Sequence, residues 1–492
     1  MFARIALVAG LSIAVFSCTP TPPETDALRV VIPREVESLD PRFIRDPYGL
    51  KISRLIFRSL FTIDPRTLEL VPDLAESHRF RTPSVLEVTL KAGQRFNDGS
   101  PIEARDVVAT FMGVKDPEVG SAYAGTFERF SSIRALDARR IELILAAPHA
   151  TVLSDLEFPV LRAEDARRNT PERETFTGSG PYSLVRWTSS HVILERSQSA
   201  PENAPERIDF VVVRDDNGRA LRMEAGGADI ALNGVTALLL PRFESDEAFE
   251  VRSTPGIGTS YLGFNLEGAT HDVRLRRAIS HAINTELLIE TELGGRAELA
   301  SSWIPTGHWA DASASRPAYD PALSRALVAE LGAGGRRLVL RTSADRARVS
   351  ICRAIAAMLR EVGLEVEVQP SENATLIADL NAGRFDMTFL QVPEVFEPHV
   401  LHWFFASERV PEGAQVGANR WRIRDHRLDE ALEAGRSVMD RTQRRAAYAI
   451  VQQRLADELP VLPLWQEHNV AVVRAGTEFD VPRDGRFRTL FR

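Results

Sequence analysis

A chain of 492 residues exceeds the size of one ordinary domain, so it needs more than one hydrophobic core. Its 44% hydrophobic and 26% charged residues exclude disordered, collagen-like and polytopic membrane classes. With 60 basic against 68 acidic side chains the net charge is -8, spread along the chain, so no basic surface follows a phosphate backbone and nucleic acid is not an expected partner.

The first segment, MFARIALVAGLSIAVFSC, carries Arg4 and then an apolar stretch from Ile5 to Phe16, shorter than the roughly 20 residues of a membrane-spanning helix. Residues 1–17 therefore read as an export signal. Val15-Phe16-Ser17-Cys18 looks like a bacterial lipobox, which makes Cys18 the expected lipidation site and places the protein on the periplasmic or cell-surface side of the membrane, held by lipid. The Thr/Pro run through residue 26 reads as a flexible, extended tether. Cys352 is then alone in the mature chain, which rules out an intramolecular disulfide; among Ile351, Ile355 and Met358 it reads as a small buried apolar residue.

Strand and helix patterns alternate through the body, the mark of mixed α/β lobes. Leu28 to Ile32, Val85 to Leu90 and Ile141 to Leu145 have strand character. After Asp272 the residues Leu275, Ile279, Ala282, Ile283 and Leu287 fall at helical spacing. Asp320-Pro321 starts a helix that Gly332 ends, and Arg348 to Glu361 leads past Gly363 into the strand Leu364 to Val368. Asp440 caps a late helix with Ala447, Val451 and Leu455 on its buried side, and Pro460 opens a strand from Val461 to Trp465.

The sequence contains no GxxxxGK(S/T), HExxH, GxSxG or CxxC, so local signatures of phosphate loops, zinc proteases, α/β-hydrolases and dithiol sites are missing. His399 and His402 stand three apart and could share a metal face, although a helix-end pair is the simpler reading. Gly178-Ser179-Gly180-Pro181 resembles an anion cradle but reads better as a tight turn into a strand at Tyr182, since Pro has no amide donor. No cofactor, metal or catalytic residue is expected.

Several segments in fixed order resemble the family 5 extracellular solute-binding proteins, the oligopeptide and dipeptide receptors of ABC importers. They are Ser38-Leu39-Asp40-Pro41, Val71 to Ser77, Leu90 to Phe111, Gly178 to Tyr182 with Trp187, Gly226 to Ile230, Tyr261 to Asn265, Gly383 to Asp386 and Asp457 to Leu464. Asn97-Asp98-Gly99 is a turn tripeptide inside this set, with Asn97 where the family commonly has histidine and with a helix cap expected near Ser100.

The resemblance implies an α/β, two-lobed periplasmic-binding-protein-like clamshell (class II, cluster C type) with an additional inserted domain. Lobe I is expected over 27–52, 172–266 and 466–492, the inserted domain over 53–171 and lobe II over 267–465. It implies a monomeric, non-enzymatic lipoprotein that captures a short peptide between its lobes and delivers it to ABC permease subunits. A receptor for a nickel chelate or another small solute, and a sensory lipoprotein without a transport role, are the alternatives. Glu394, in Glu394-Val395-Phe396-Glu397-Pro398, corresponds to the family carboxylate that captures the peptide amino terminus. Tyr261, Trp303, Trp403 and Trp421 are candidate cleft walls, and Arg420 is a candidate partner for a ligand carboxylate.

Overall fold

The computed structural model describes residues 27–168, 177–392, 394–412 and 417–491. The signal, lipidation and tether readings at 1–26, Cys18 included, lie outside the described residues.

One large mixed sheet runs through both lobes. Its order is 365–371, 337–343, 387–392, 249–264, 461–474, 230–232, 27–32, 207–212, 191–196 and 182–187, with Ala297–Leu299 pairing to the side of Val461–Arg474. The two central strands, Phe249–Phe264 and Val461–Arg474, are the long ones, and they pair antiparallel with each other. At one end Thr259–Phe264 pairs with Met387–Val392. At the other, Ala471–Val473 pairs with Ile230–Leu232. The same two strands thus belong to both lobes, with a register shift between Pro255 and Thr259 where they cross the gap. Val461 was expected to open a strand that stops at Trp465; it runs on to Arg474 because backbone pairing continues through the polar run Gln466-Glu467-His468-Asn469.

Separate cores build the two lobes. Val30, Ile32, Ile52, Leu194, Phe210, Ile230 and Val473 join the first lobe on one face of its sheet. Leu262, Leu275, Ile279, Leu340, Ile355 and Leu462 fill one face of the second, while Tyr261, Trp303, Trp421, Leu428 and Val451 fill its other face. Cys352 is fully buried in that core, and burial pushes its thiol up to about 12. The helices around it begin on side-chain caps at Asp272, Asp320, Asp345 and Asp440, each accepting a backbone N–H of the first turn. A third core surrounds a four-stranded sheet in the order 75–82, 85–90, 140–145 and 130–135, backed by the helix Ala104–Lys115. The molecule is a two-lobed α/β clamshell with this additional body.

Local chemistry joins the additional body to the first lobe. Helix Pro47–Ile56 starts on Asp46, whose carboxylate accepts the Gly49 N–H at 2.6 Å, with Pro47 at the first helical position. At its far end the Ser179 and Gly180 amides donate to the Ile56 carbonyl at 3.0 and 2.7 Å. A Cβ on Gly178 would lie 2.2 Å from that oxygen, so the Gly-Ser-Gly-Pro turn is glycine for close packing and caps a helix. Asn97 donates to Ser183 at 2.9 Å, a tie beyond what the turn itself requires. The cap expected near Ser100 is corrected: that hydroxyl donates to Asp98, and Asp106 instead accepts the Glu103 N–H at 2.8 Å at the start of the helix.

Candidate functional site

Where the central strands cross, the lobes enclose a cavity of about 450 Å³, within the roughly 300–1,000 Å³ range of small-ligand sites. Lys51 and the segment 233–237 line it from the first lobe, Gln391 and Glu394 from the second. Gly256 to Gly258 and Glu467 to Val470 form the crossing, and Arg483 to Gly485 close one side. Gly256 is needed there because a Cβ would come within 2.5 Å of the Glu467 carbonyl on the neighbouring strand. Asn233 and Asn469 bond side chain to side chain at 2.8 Å and bind the rim to the crossing.

The lobes also touch around the cavity. Arg296 on the second lobe pairs with Glu244 on the first. Glu394 lies 3.8 Å from Arg486 of the C-terminal segment, whose guanidinium also pairs with Glu157 and stands 4.5 Å over the Phe396 ring. Burial works to raise the Glu157 carboxyl, but Arg486 and Arg54 outweigh it and hold it at about 2. Farther out, the Ala150 N–H of the additional body donates to the Arg436 carbonyl at 2.8 Å, and the His149 and His399 rings meet edge to face at 5.9 Å.

Several polar atoms in the cavity wall have no hydrogen bond. Both ring nitrogens of His468 are buried and unbonded, and one carboxylate oxygen of Asp484 has only an ion pair, 3.7 Å from the Arg486 guanidinium. Burial lowers the His468 pKa and raises that of Asp484. Lys51 is likewise lowered by burial, against the opposing pull of Glu394 and Asp484. Glu467 is held, by contrast: it accepts from Ser260 at 2.9 Å and from the Trp465 indole at 3.2 Å.

Of the residues singled out from the sequence, Glu394 lines this cavity. Tyr261, Trp303 and Trp421 stand behind it, packed on one another with the Tyr261 ring 4.4 Å from Trp303 and 5.5 Å from Trp421. Trp421 is fully buried against Gly263, where a Cβ would lie 2.1 Å from the indole. Trp403 is 39% exposed, with the Arg409 guanidinium over its ring. Arg420 donates to Asn381 at 2.9 Å. His399 and His402 do not meet a common partner: His399 packs on His149, and His402 lies 3.6 Å from Glu408. Among the described residues no group of three or more His, Cys, Asp or Glu side chains is placed to hold a metal ion. Lys51, His468, Asp484 and Arg486 escaped the sequence reading; the scarcity of lysine, with Lys51 one of three in the chain, was the one available signal.

Residues 69–408 match the family model described as bacterial extracellular solute-binding proteins, family 5 middle. The nickel-binding periplasmic protein of Escherichia coli K12 is 26% identical over 405 residues, 76% of this chain and 77% of that one. A putative ABC transporter peptide-binding protein of Brucella ovis is 24% identical over 445 residues, 86% of this chain and 84% of that one. Among solved structures, NikA from Brucella suis in complex with Fe(III)-EDTA superposes with a TM-score of 0.84 at 23% identity, covering 94% of this chain and 99% of that one.

Proposed function

The chain belongs to the family 5 bacterial extracellular solute-binding proteins of ABC transporters, and on that footing we propose that it captures short peptides between its two lobes and delivers them to a membrane permease. It is a binding protein and not an enzyme. The observation that carries the peptide reading is Glu394 in the cavity wall, a carboxylate offered from the second lobe into the gap. A peptide ammonium would take it as a charge-assisted partner, while the backbone of Gly256 to Gly258 in the cavity wall would meet the peptide backbone without regard to side chains. Closure then follows from binding, because contacts to both lobes exist only in the shut arrangement and ligand shifts the population toward it. Lipid at Cys18 would keep the receptor near its permease and raise the local concentration of loaded protein without any new contact.

The test is calorimetry with peptides recovered from the natively purified protein. Glu394→Gln is expected to weaken their binding by about tenfold or more, since an ammonium facing a neutral amide in a closed site is poorly compensated. Unchanged affinity would remove Glu394 from the site.

A second reading, a metal-chelate receptor, is favoured by His468, whose two unbonded ring nitrogens lie at the cavity wall, and by likeness to a protein named as nickel-binding. His468 would then complete the coordination sphere of a chelate carried in by its own ligands. Nickel with L-histidine binding tightly to the wild type and not to His468→Ala, with peptides inert, would decide for it.

A further inference from the structure

Four cationic side chains line the cavity, and three are already used. Arg219 donates to the carbonyls of Gly234, Val213 and Arg214 and to the Asp216 carboxylate. Arg296 pairs with Glu244, and Arg483 donates to the Pro255 carbonyl at 3.4 Å. Lys51 differs. Among the described residues its ammonium has no hydrogen bond or ion pair, only the Tyr48 ring 5.5 Å away.

The carboxylates acting on Lys51 are engaged elsewhere. Asp484 is buried, and one of its oxygens accepts the Arg486 N–H at 3.0 Å. Glu394 is shared with the Arg486 guanidinium. Arg54 and Arg486 add like charge that opposes the Lys51 ammonium, and burial opposes it further. A cation so placed is costly until an anion arrives. The helix Pro47–Ile56, held at both ends, fixes its position.

Resting on the solute-binding reading above, we propose that Lys51 holds a free carboxylate of the ligand, so that the cleft selects small zwitterions with an ammonium for Glu394 and a carboxylate for Lys51. A carboxylate fits better than a phosphate. The same wall presents Glu394, Glu467 and Asp484, and a doubly charged anion would meet all three while gaining one lysine. Lysine suits this role as a compact charge with three donors that can meet a carboxylate from several directions. Elsewhere in the chain that work falls to arginine: lysine supplies three of 60 basic side chains. A ligand tied at both ends inside about 450 Å³ is limited in length, which places di- and tripeptides ahead of long oligopeptides.

The experiment presents the full chain with an equal mixture of two tripeptide libraries, one with free C-termini and one amidated, and reads the retained peptides by mass spectrometry. Wild type is expected to retain acids over amides by about tenfold or more, and Lys51→Met to retain both about equally. The ratio does not depend on the fraction of protein folded, and Lys51→Gln serves if the methionine variant fails to fold. Lys51→Arg is expected to recover part of the selectivity. Equal retention of acids and amides by wild type overturns the proposal and leaves peptide binding standing. Selectivity that persists in Lys51→Met also overturns it. No retention of either library by wild type overturns the peptide reading itself, and this inference with it.

Discussion

The two ends of one strand make opposite uses of burial. At Tyr261 to Phe264 the strand Phe249–Phe264 presses into an aromatic cluster with Trp303 and Trp421, in which the Tyr261 ring is tilted on Trp303 and meets Trp421 edge to face. A few residues earlier, two glycines, Gly256 and Gly258, flank the buried Ile257, and the same strand faces Glu467, His468 and Asn469 across the crossing. The first region is closed by apolar area. The second is walled by charged and amide side chains, and both bury polar atoms without a hydrogen-bond partner, the Trp303 and Trp421 indole N–H groups in the first and the His468 ring nitrogens in the second. Aromatic residues therefore brace the second lobe, and in the proposed function the ligand would be met by charges and backbone. The sequence reading merged these roles because an indole suits a core and a binding wall equally well.

The sharpest way to break this comparison is Trp421→Ala. Removing a fully buried indole is expected to cost about 3–5 kcal/mol of stability, read from denaturant unfolding, while the acid-to-amide selectivity of the surviving folded protein stays unchanged. Altered selectivity would move the aromatic cluster into the site.

Acid should act next most strongly, at the contact between the additional body and the second lobe. Burial and Arg129 push His149 down to about 2 and His399 down to about 3, so both are neutral when that contact is formed. Histidine freed from the contact takes up protons below about 6.5, so the stability that each contributes is present above that pH and lost as pH falls toward 3. Arg436, Arg444 and Glu397 also face the pair. Asp155 works the other way. Burial raises it to about 7, and it regains stability as pH falls from there toward 4. Each histidine amounts to about 1.4 kcal/mol per pH unit in its window, and one is offset by Asp155, so the net effect of acid is loss. The melting temperature is expected to fall between pH 6.5 and 4.5 in wild type and to fall less in His399→Phe. An equal fall in both would show that the histidine pair does not couple to the fold.

Asp484→Asn sharpens the polar side of the comparison. Its buried carboxylate has a raised pKa, one oxygen without a hydrogen bond and only a long ion pair to Arg486. The relief of burial and the loss of that pair oppose each other, so neutralising it is expected to change stability by about 1 kcal/mol or less, while reducing the pull that keeps Lys51 charged. Titration of ligand affinity against pH should then show the Lys51 limb moved to lower pH. The smallest effect is expected from Trp403→Ala, at an exposed position, with stability changing by about 0.5 kcal/mol or less and ligand affinity unchanged.

Much of the second lobe was legible because its signals are local. Asp320 and Asp440 cap the helices expected of them, and Leu275, Ile279 and Ala282 lie on the buried face of the helix Val273–Ala282. The helical spacing expected to run on to Leu287 is broken at Ile283, however, and Leu287 is exposed on a second helix, Thr285–Leu293, capped by Asn284. The Gly178 turn was recognised as a turn, but its duty as the cap of helix Pro47–Ile56 was not, since 122 positions separate it from Ile56 in sequence. The crossing strand was cut short at Trp465 because Gln466 to Asn469 break the apolar pattern, and they break it where the strand becomes the wall of a cavity. Polar interruption of a strand was read as an ending and marks the site.

The sequence alone determined the α/β class and the ordered motifs of a two-lobed solute receptor, and it offered Glu394 as a candidate, because caps, periodicity and motif order are properties of neighbouring residues. Only the tertiary structure decided that Lys51, His468 and Asp484 meet Glu394 around one space, and that Trp303 and Trp421 stand behind it. They come from segments hundreds of residues apart, and their convergence depends on two strands crossing between lobes, a register that no local pattern encodes.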